Sequence, residues 1–133
     1  MNAASTGAWR TAAVAMAAII AALQAFNAWR AFTDPVGFAS YFGLPLADPR
    51  DAALVGVYGL RALFIATLVA LLLAFRHWRA LFLTAVAAIM MPAGDAFLTH
   101  AAGAPAAIVA RHCAIALYVM LTALALSRAR AAV

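Results

Sequence analysis

The chain of 133 residues is 69% hydrophobic and 10% charged, with a mean hydropathy of +1.03. Soluble domains average about 45–50% apolar and about 25% charged residues, so this composition excludes an ordinary soluble domain, a disordered chain and a disulfide-stapled secreted module. The net charge of +5 comes from nine arginines and four aspartates, with neither lysine nor glutamate, while alanine fills forty positions. The arginines punctuate apolar runs instead of clustering on a solvated face, which is the pattern of membrane topology and not of a nucleic-acid surface. The length suits one all-α domain of about four membrane helices at ~20 residues per crossing. No soluble catalytic domain fits beside them, so any chemistry belongs within or just above the bilayer. The single cysteine, Cys113, cannot run an internal dithiol–disulfide cycle and reads as a buried, inert thiol.

The first apolar run spans Thr11 to Trp29, between Arg10 and Arg30. Its 19 uncharged residues exceed a signal-peptide core of about 7–15, and one arginine is a thin n-region. It reads as a first membrane helix over about 11–31, carrying Gln24 and Asn27 near its distal end. Residues Asp34 to Pro49 read as an ordered outer loop: two Asp-Pro dipeptides bound FASYFGLPLA, and Gly37, Gly43 and Pro45 add breaks. Phe38, Tyr41 and Phe42 suit a segment lying at the membrane interface. A second helix covers about 52–75 with Arg61 as its only charge, and Arg76, His77, Trp78 and Arg79 form a polar turn. The third covers about 80–99, with Pro92 and Gly94 inside it, and His100 to Ala104 make a second turn. Pro105 opens a fourth helix over about 105–127, where its missing N–H costs nothing.

Four crossings place Arg10, Arg76, Arg79, Arg128 and Arg130 on one side and Arg30 and Arg50 on the other. The positive-inside rule then expects an inner membrane of bacterial type with both termini cytoplasmic. At 1.5 Å per helical residue, Arg61 lies ~13 Å, Asp95 ~6 Å and His112 ~10 Å below the outer face, with Asn27 about a turn from it. The strongly polar intramembrane residues of four helices therefore share the outer half, which predicts a polar pocket beneath the Asp34–Pro49 loop. Arg61 so deep costs about 2.5–3.5 kcal/mol on insertion scales. Asp95, the only aspartate within a helix, is the natural partner, and the pair is expected to meet directly or through water. Pro92 frees the carbonyl of Ala88 and can kink the third helix, while Gly94 permits a close approach. Arg111 and His112 lie about 100° apart around the fourth helix, one toward the bundle and the other toward its edge. His100 reads as a helix end. Asp95, His100 and His112 lack the HxxxH or ExxH spacing of a metal site, so no metal is assigned, and none of this chemistry needs a cofactor.

VYGLRALF on the second helix, MPAGDAF on the third, a histidine on the fourth and the DPVGFASYFGLP loop together resemble a family of small four-span membrane proteins of unknown function related to the DoxX-like group. The similarity covers nearly the whole chain. It implies a compact four-helix bundle and makes Arg61, Asp95 and His112 the functional residues; it supplies no activity for this chain, and the action of relatives in natural-product pathways on epoxide intermediates only weights one hypothesis. The acidic position usual elsewhere in such sites has no obvious counterpart in the alanine-rich first helix.

Two classes of function follow. The first is an enzyme doing cofactor-independent acid–base chemistry, either epoxide opening or isomerisation, on a lipophilic small molecule. Asp95 is its base, Arg61 its organiser and His112 or Asp34 its acid, with Asn27, Tyr58, Arg111 and His100 contacting substrate. The second is a non-enzymatic binder of a lipid or small molecule, an assembly helper or a transporter subunit, in which Arg61 holds an anionic head group. In either class the partners are a lipophilic molecule and the membrane. The alanine-rich helices also permit a homo-oligomer.

Overall fold

A computed structural model describes the backbone of residues 3–130 and the side chains of 7–129. The secondary structure of the described chain is all helical: α1 (Ala3–Thr33), α2 (Pro35–Phe42), α3 (Ala52–Ala74), α4 (Trp78–Ala88), α5 (Met90–Ala101) and α6 (Ala106–Arg130), with a 3-10 turn at Pro49–Asp51 and short irregular connections. Four stretches are long and apolar enough to cross a membrane: Gly7–Thr33, Pro49–Ala74, Trp78–Ala101 and Ala106–Ala129. The expected four long apolar stretches are therefore present, and α4 and α5 together form the third.

The third span breaks at Ile89, where a short turn separates α4 from α5. Pro92 has no N–H to give the carbonyl of Ala88, and its ring crowds that position, so the helix cannot run straight through. The amide of Ile89 reaches back three residues to Val86 and that of Ala93 bonds to Ile89 at 3.3 Å. This kink shapes the bundle. Helix α1 packs against α3 and α6, and α6 also packs against both α4 and α5. Helix α3 meets α4 near their shared turn, but α3 and α5 are not packed along their length. The order around the bundle is thus α3, α1, α6, α4/α5, with a seam between α5 and α3.

Small side chains hold the packed faces together. Ala13, Ala17, Ala123, Ala125 and Ala129 are buried around Leu81 and Leu126 at one end. In a bilayer the driving force is close packing, because lipid tails are as apolar as leucine, and alanine lets backbones approach. Gly59 serves the same purpose at the other end: a Cβ there would lie 3.0 Å from that of Ala31 and 3.1 Å from the Phe32 ring. The large apolar residues instead face outward, with Phe64, Met90 and Phe97 among the most exposed, as expected where the surrounding solvent is hydrocarbon. Cys113 is also exposed and not buried as expected. One residue past the inward-facing His112, it falls on the lipid side of α6.

The loop between the first two spans contains a helix where breaks were expected. Asp34 is the N-cap of α2, its carboxylate accepting from the amide of Gly37 at 2.9 Å, and Pro35 takes the first helical position. An Asp-Pro pair stops one helix but is also a good start for the next. Gly43 ends α2 with φ +104, and its amide returns to Ala39 and Ser40. A Cβ at Gly43 would lie 2.7 Å from Cγ2 of Ile108 and 3.2 Å from that of Thr99, so glycine is required for both backbone and space. The second Asp-Pro repeats the device at smaller scale: Asp48 caps the 3-10 turn by accepting from the amide of Arg50, and its carboxylate pairs with the Arg50 guanidinium at 2.7 Å. That guanidinium holds the Asp48 carboxyl below the usual carboxylate range.

Candidate functional site

Between the alanine-packed end and α2 lies a cavity of about 560 Å³, within the range of small-molecule sites. On α6 its lining runs from Arg111 to Leu126, a length of about 22 Å at the helical rise. The two ends differ in character. Near the closed end the walls are Ala17, Val69, Leu81, Ala85 and Leu126. Toward α2 they become Gln24, Asn27, Tyr58, Arg61, Asp95, Arg111 and His112. The cavity is a sleeve with one polar end and one apolar end.

Helix α2 roofs the polar end. Phe38, Tyr41 and Phe42 line the cavity, and their rings join a cluster with α3 and α6: Phe38 and Tyr58 at 5.3 Å, Phe42 and Tyr58 at 5.4 Å, Phe42 and His112 at 4.8 Å between centroids. The C-terminal carbonyls of α2 are gripped by α6. The Arg111 guanidinium donates to the carbonyl of Tyr41, and Nε2 of His112 bonds that of Phe42 at 2.9 Å. Cationic groups at a helix C-terminus also oppose its macrodipole favourably. Tyr41 is flanked by two guanidinium groups, Arg111 at 3.9 Å and Arg30 at 4.8 Å from its ring centre. These roof aromatics read in sequence as interfacial. Nothing local in the sequence shows that Tyr41 and Phe42 would be held by residues seventy positions away.

Six of the eight residues singled out in the sequence line this cavity: Asn27, Tyr58, Arg61, Asp95, Arg111 and His112. Asp34 and His100 do not. The Asp34 carboxylate is committed to the α2 cap on the exposed face of the roof, and His100 is exposed in the last turn of α5. Asn27 Nδ2 donates to Gln24 Oε1 at 3.4 Å, so the first span contributes a small amide pair. Thr99 bonds the carbonyls of its own helix, at 2.7 Å to Asp95 and 3.2 Å to Ala96.

Arg61 and Asp95, expected to meet directly or through water, form no direct ion pair. Among the described residues the one ion pair is Asp48–Arg50. Helices α3 and α5 are not packed along their length, and both side chains line the same cavity. Asp95 instead lies within electrostatic reach of Tyr58 and His112. Gly94, expected to admit a close neighbour, has nothing within 4 Å of where its Cβ would be. Among the described residues no three of His, Cys, Asp and Glu come together as a metal site.

Nε2 of His112 meets a carbonyl oxygen, which can only accept, so Nε2 carries the proton of that hydrogen bond. The other ring nitrogen, Nδ1, is left for the cavity. Among the described residues, the polar end therefore offers a partly buried carboxylate without a hydrogen-bond donor, a guanidinium without an anion and an imidazole with one nitrogen available.

No curated protein and no solved structure matches this chain. One family does, over residues 21–126, a segment that contains the whole cavity lining from α2 onward and the polar half of α1. The chain belongs to that family, described as a domain of unknown function, DUF4267.

Proposed function

We propose that the protein is a membrane enzyme that performs acid–base chemistry, epoxide opening or isomerisation, on an amphipathic lipophilic molecule without a cofactor. The observation that carries this reading is the convergence of Asp95, His112 and Arg61 at the polar end of a sleeve whose other end is apolar. A substrate would lay its hydrocarbon portion toward Val69, Leu81 and Leu126 and present its functional group to the three polar residues. The seam between α3 and α5 supplies a route from the bilayer. In epoxide opening, the Asp95 carboxylate takes a proton from water as the water oxygen bonds to a ring carbon. The C–O bond breaks, and the departing oxygen takes a proton from Nδ1 of protonated His112. Water is added overall, and the proton on Asp95 returns to His112 through solvent. In isomerisation Asp95 takes its proton from carbon and the same acid serves the oxygen. Arg61 orients the oxygen and balances its developing charge.

In topology, both termini and the α3–α4 turn face the cytoplasm of a bacterial-type inner membrane, with α2 on the far side. The arginine asymmetry supports this reading. The relation to the DoxX-like group belongs here too, resting on the glycine–arginine of α3 (Gly59, Arg61) and the glycine–aspartate of α5 (Gly94, Asp95).

A binding protein is the second reading, favoured by one observation: the Arg61 guanidinium has no ion-pair partner among the described residues. A carboxylate or phosphate head group would fit there. Incubating the purified protein with a panel of long-chain epoxides separates the two. Product formation supports the enzyme. Retention of an anionic lipid that is lost in Arg61→Met, with no turnover of any substrate, supports the binder.

A further inference from the structure

At the end of the bundle opposite α2, a second cleft lies between α1 and the α3–α4 turn, lined by Arg10, Thr11, Val14, Leu73, Arg76 and Trp78. Three observations single it out. Nε of Arg10 is enclosed and has no hydrogen-bond partner. Arg76 has φ +57, the one non-glycine residue with a positive φ among those described. It stands at the end of α3, where glycine is the usual choice, so its side chain is present in spite of the backbone it must adopt. Finally, this end of the molecule has no acidic side chain to offer. The protein has no glutamate, three of its four aspartates lie at 34, 48 and 51 beside α2, and the fourth is Asp95 in the cavity.

We propose that this cleft binds the phosphate of an anionic phospholipid head group. Arg10 and Arg76 hold the phosphate oxygens by charge-assisted hydrogen bonds. The Trp78 ring sits at head-group level, where an aromatic with one polar edge is at home. The acyl chains run along the apolar faces of Val14 and Leu73, which border the same cleft. The site is separate from the sleeve: its lining shares no residue with the larger cavity. An anion here ties α1 to the α3–α4 turn at the end of the bundle where α3 and α4 meet.

The test is the thermal stability of the purified protein in a zwitterionic detergent, titrated with phosphatidylglycerol or phosphatidylcholine. The variants are Arg76→Gly, Arg10→Gln and Arg79→Gln. Arg79 lies nearby, in the first turn of α4, but does not line the cleft, so it controls for general charge. Phosphatidylglycerol should raise the Tm of the wild type and of Arg79→Gln, and phosphatidylcholine should not. The apparent affinity should fall about fivefold for each cleft arginine removed. Arg76→Gly relieves the backbone, so it should fold at least as well as the wild type without lipid. Its lost response to lipid therefore cannot be put down to misfolding. An unchanged response in Arg76→Gly, or an equal loss in Arg79→Gln, would overturn the proposal. So would an equal stabilisation by inorganic phosphate alone, which would assign the cleft to free phosphate.

Discussion

His112 on α6 is hydrogen-bonded through Nε2 to the main-chain carbonyl of Phe42, the last residue of the roof helix, at 2.9 Å. One side chain thus both holds the roof and faces the cavity. The contact fixes which nitrogen is committed to structure and which is open to chemistry.

This dual role separates two substitutions. His112→Gln can place an amide N–H near Nε2 and keep the bond to Phe42, but it has no titratable nitrogen. His112→Ala loses both and leaves a buried carbonyl unsatisfied, a loss of about 1–3 kcal/mol. Thermal unfolding should show His112→Gln closer to the wild type than His112→Ala, while turnover is abolished in both. Equal stability of the two variants would mean that the bond to Phe42 does not hold the roof.

Two glycines should respond oppositely to alanine. Gly43→Ala meets a left-handed backbone and the methyl groups of Ile108 and Thr99. It should cost at least about 1–3 kcal/mol and loosen α2. Gly94→Ala enters open space within a helix and should be neutral or stabilising by about 0.5–1 kcal/mol. Melting temperatures of the two variants check the contrast directly.

Asp34 is a capping residue. Asp34→Asn should preserve the bond to the Gly37 amide and leave both stability and activity near wild type, since Asn caps about as well as Asp. Asp34→Ala should destabilise by about 0.5–2 kcal/mol. A pH–rate profile altered in Asp34→Asn would instead return this carboxyl to the chemistry.

Much of this architecture is legible in the sequence. The four long helices follow from apolar runs bounded by arginine, and the helical rise alone gathers Asn27, Arg61, Asp95 and His112 in the outer half. Pro92 marks the kink because a missing N–H is a local fact. Direct pairing across helices is less legible. The helical rise puts Arg61 and Asp95 in the same half of the membrane, but only the packing of α3 relative to α5 decides whether they touch directly. The roof was hidden for a related reason. Asp-Pro was read as a helix break when it also encodes an N-cap and a first helical residue. The grip of Arg111 and His112 on backbone carbonyls of α2 has no side-chain signature at the receiving end.

Topology is open to direct labelling. With Cys113 replaced by alanine, single cysteines at Ala47 and Ala102 should react with an impermeant reagent from the periplasmic side. A cysteine at His77 should react only after permeabilisation. Labelling of Ala47 and His77 from the same side would contradict the arrangement of spans.

The central claim is that Asp95 acts as a base at the polar end of the sleeve. Asp95→Asn keeps the shape of the side chain and removes its charge. The decisive measurement is turnover of a long-chain epoxide that the wild type converts, made on purified Asp95→Asn whose fold and substrate binding are verified in parallel. The account predicts that binding and melting temperature remain near wild type while turnover is abolished. Near wild-type turnover by Asp95→Asn would contradict it.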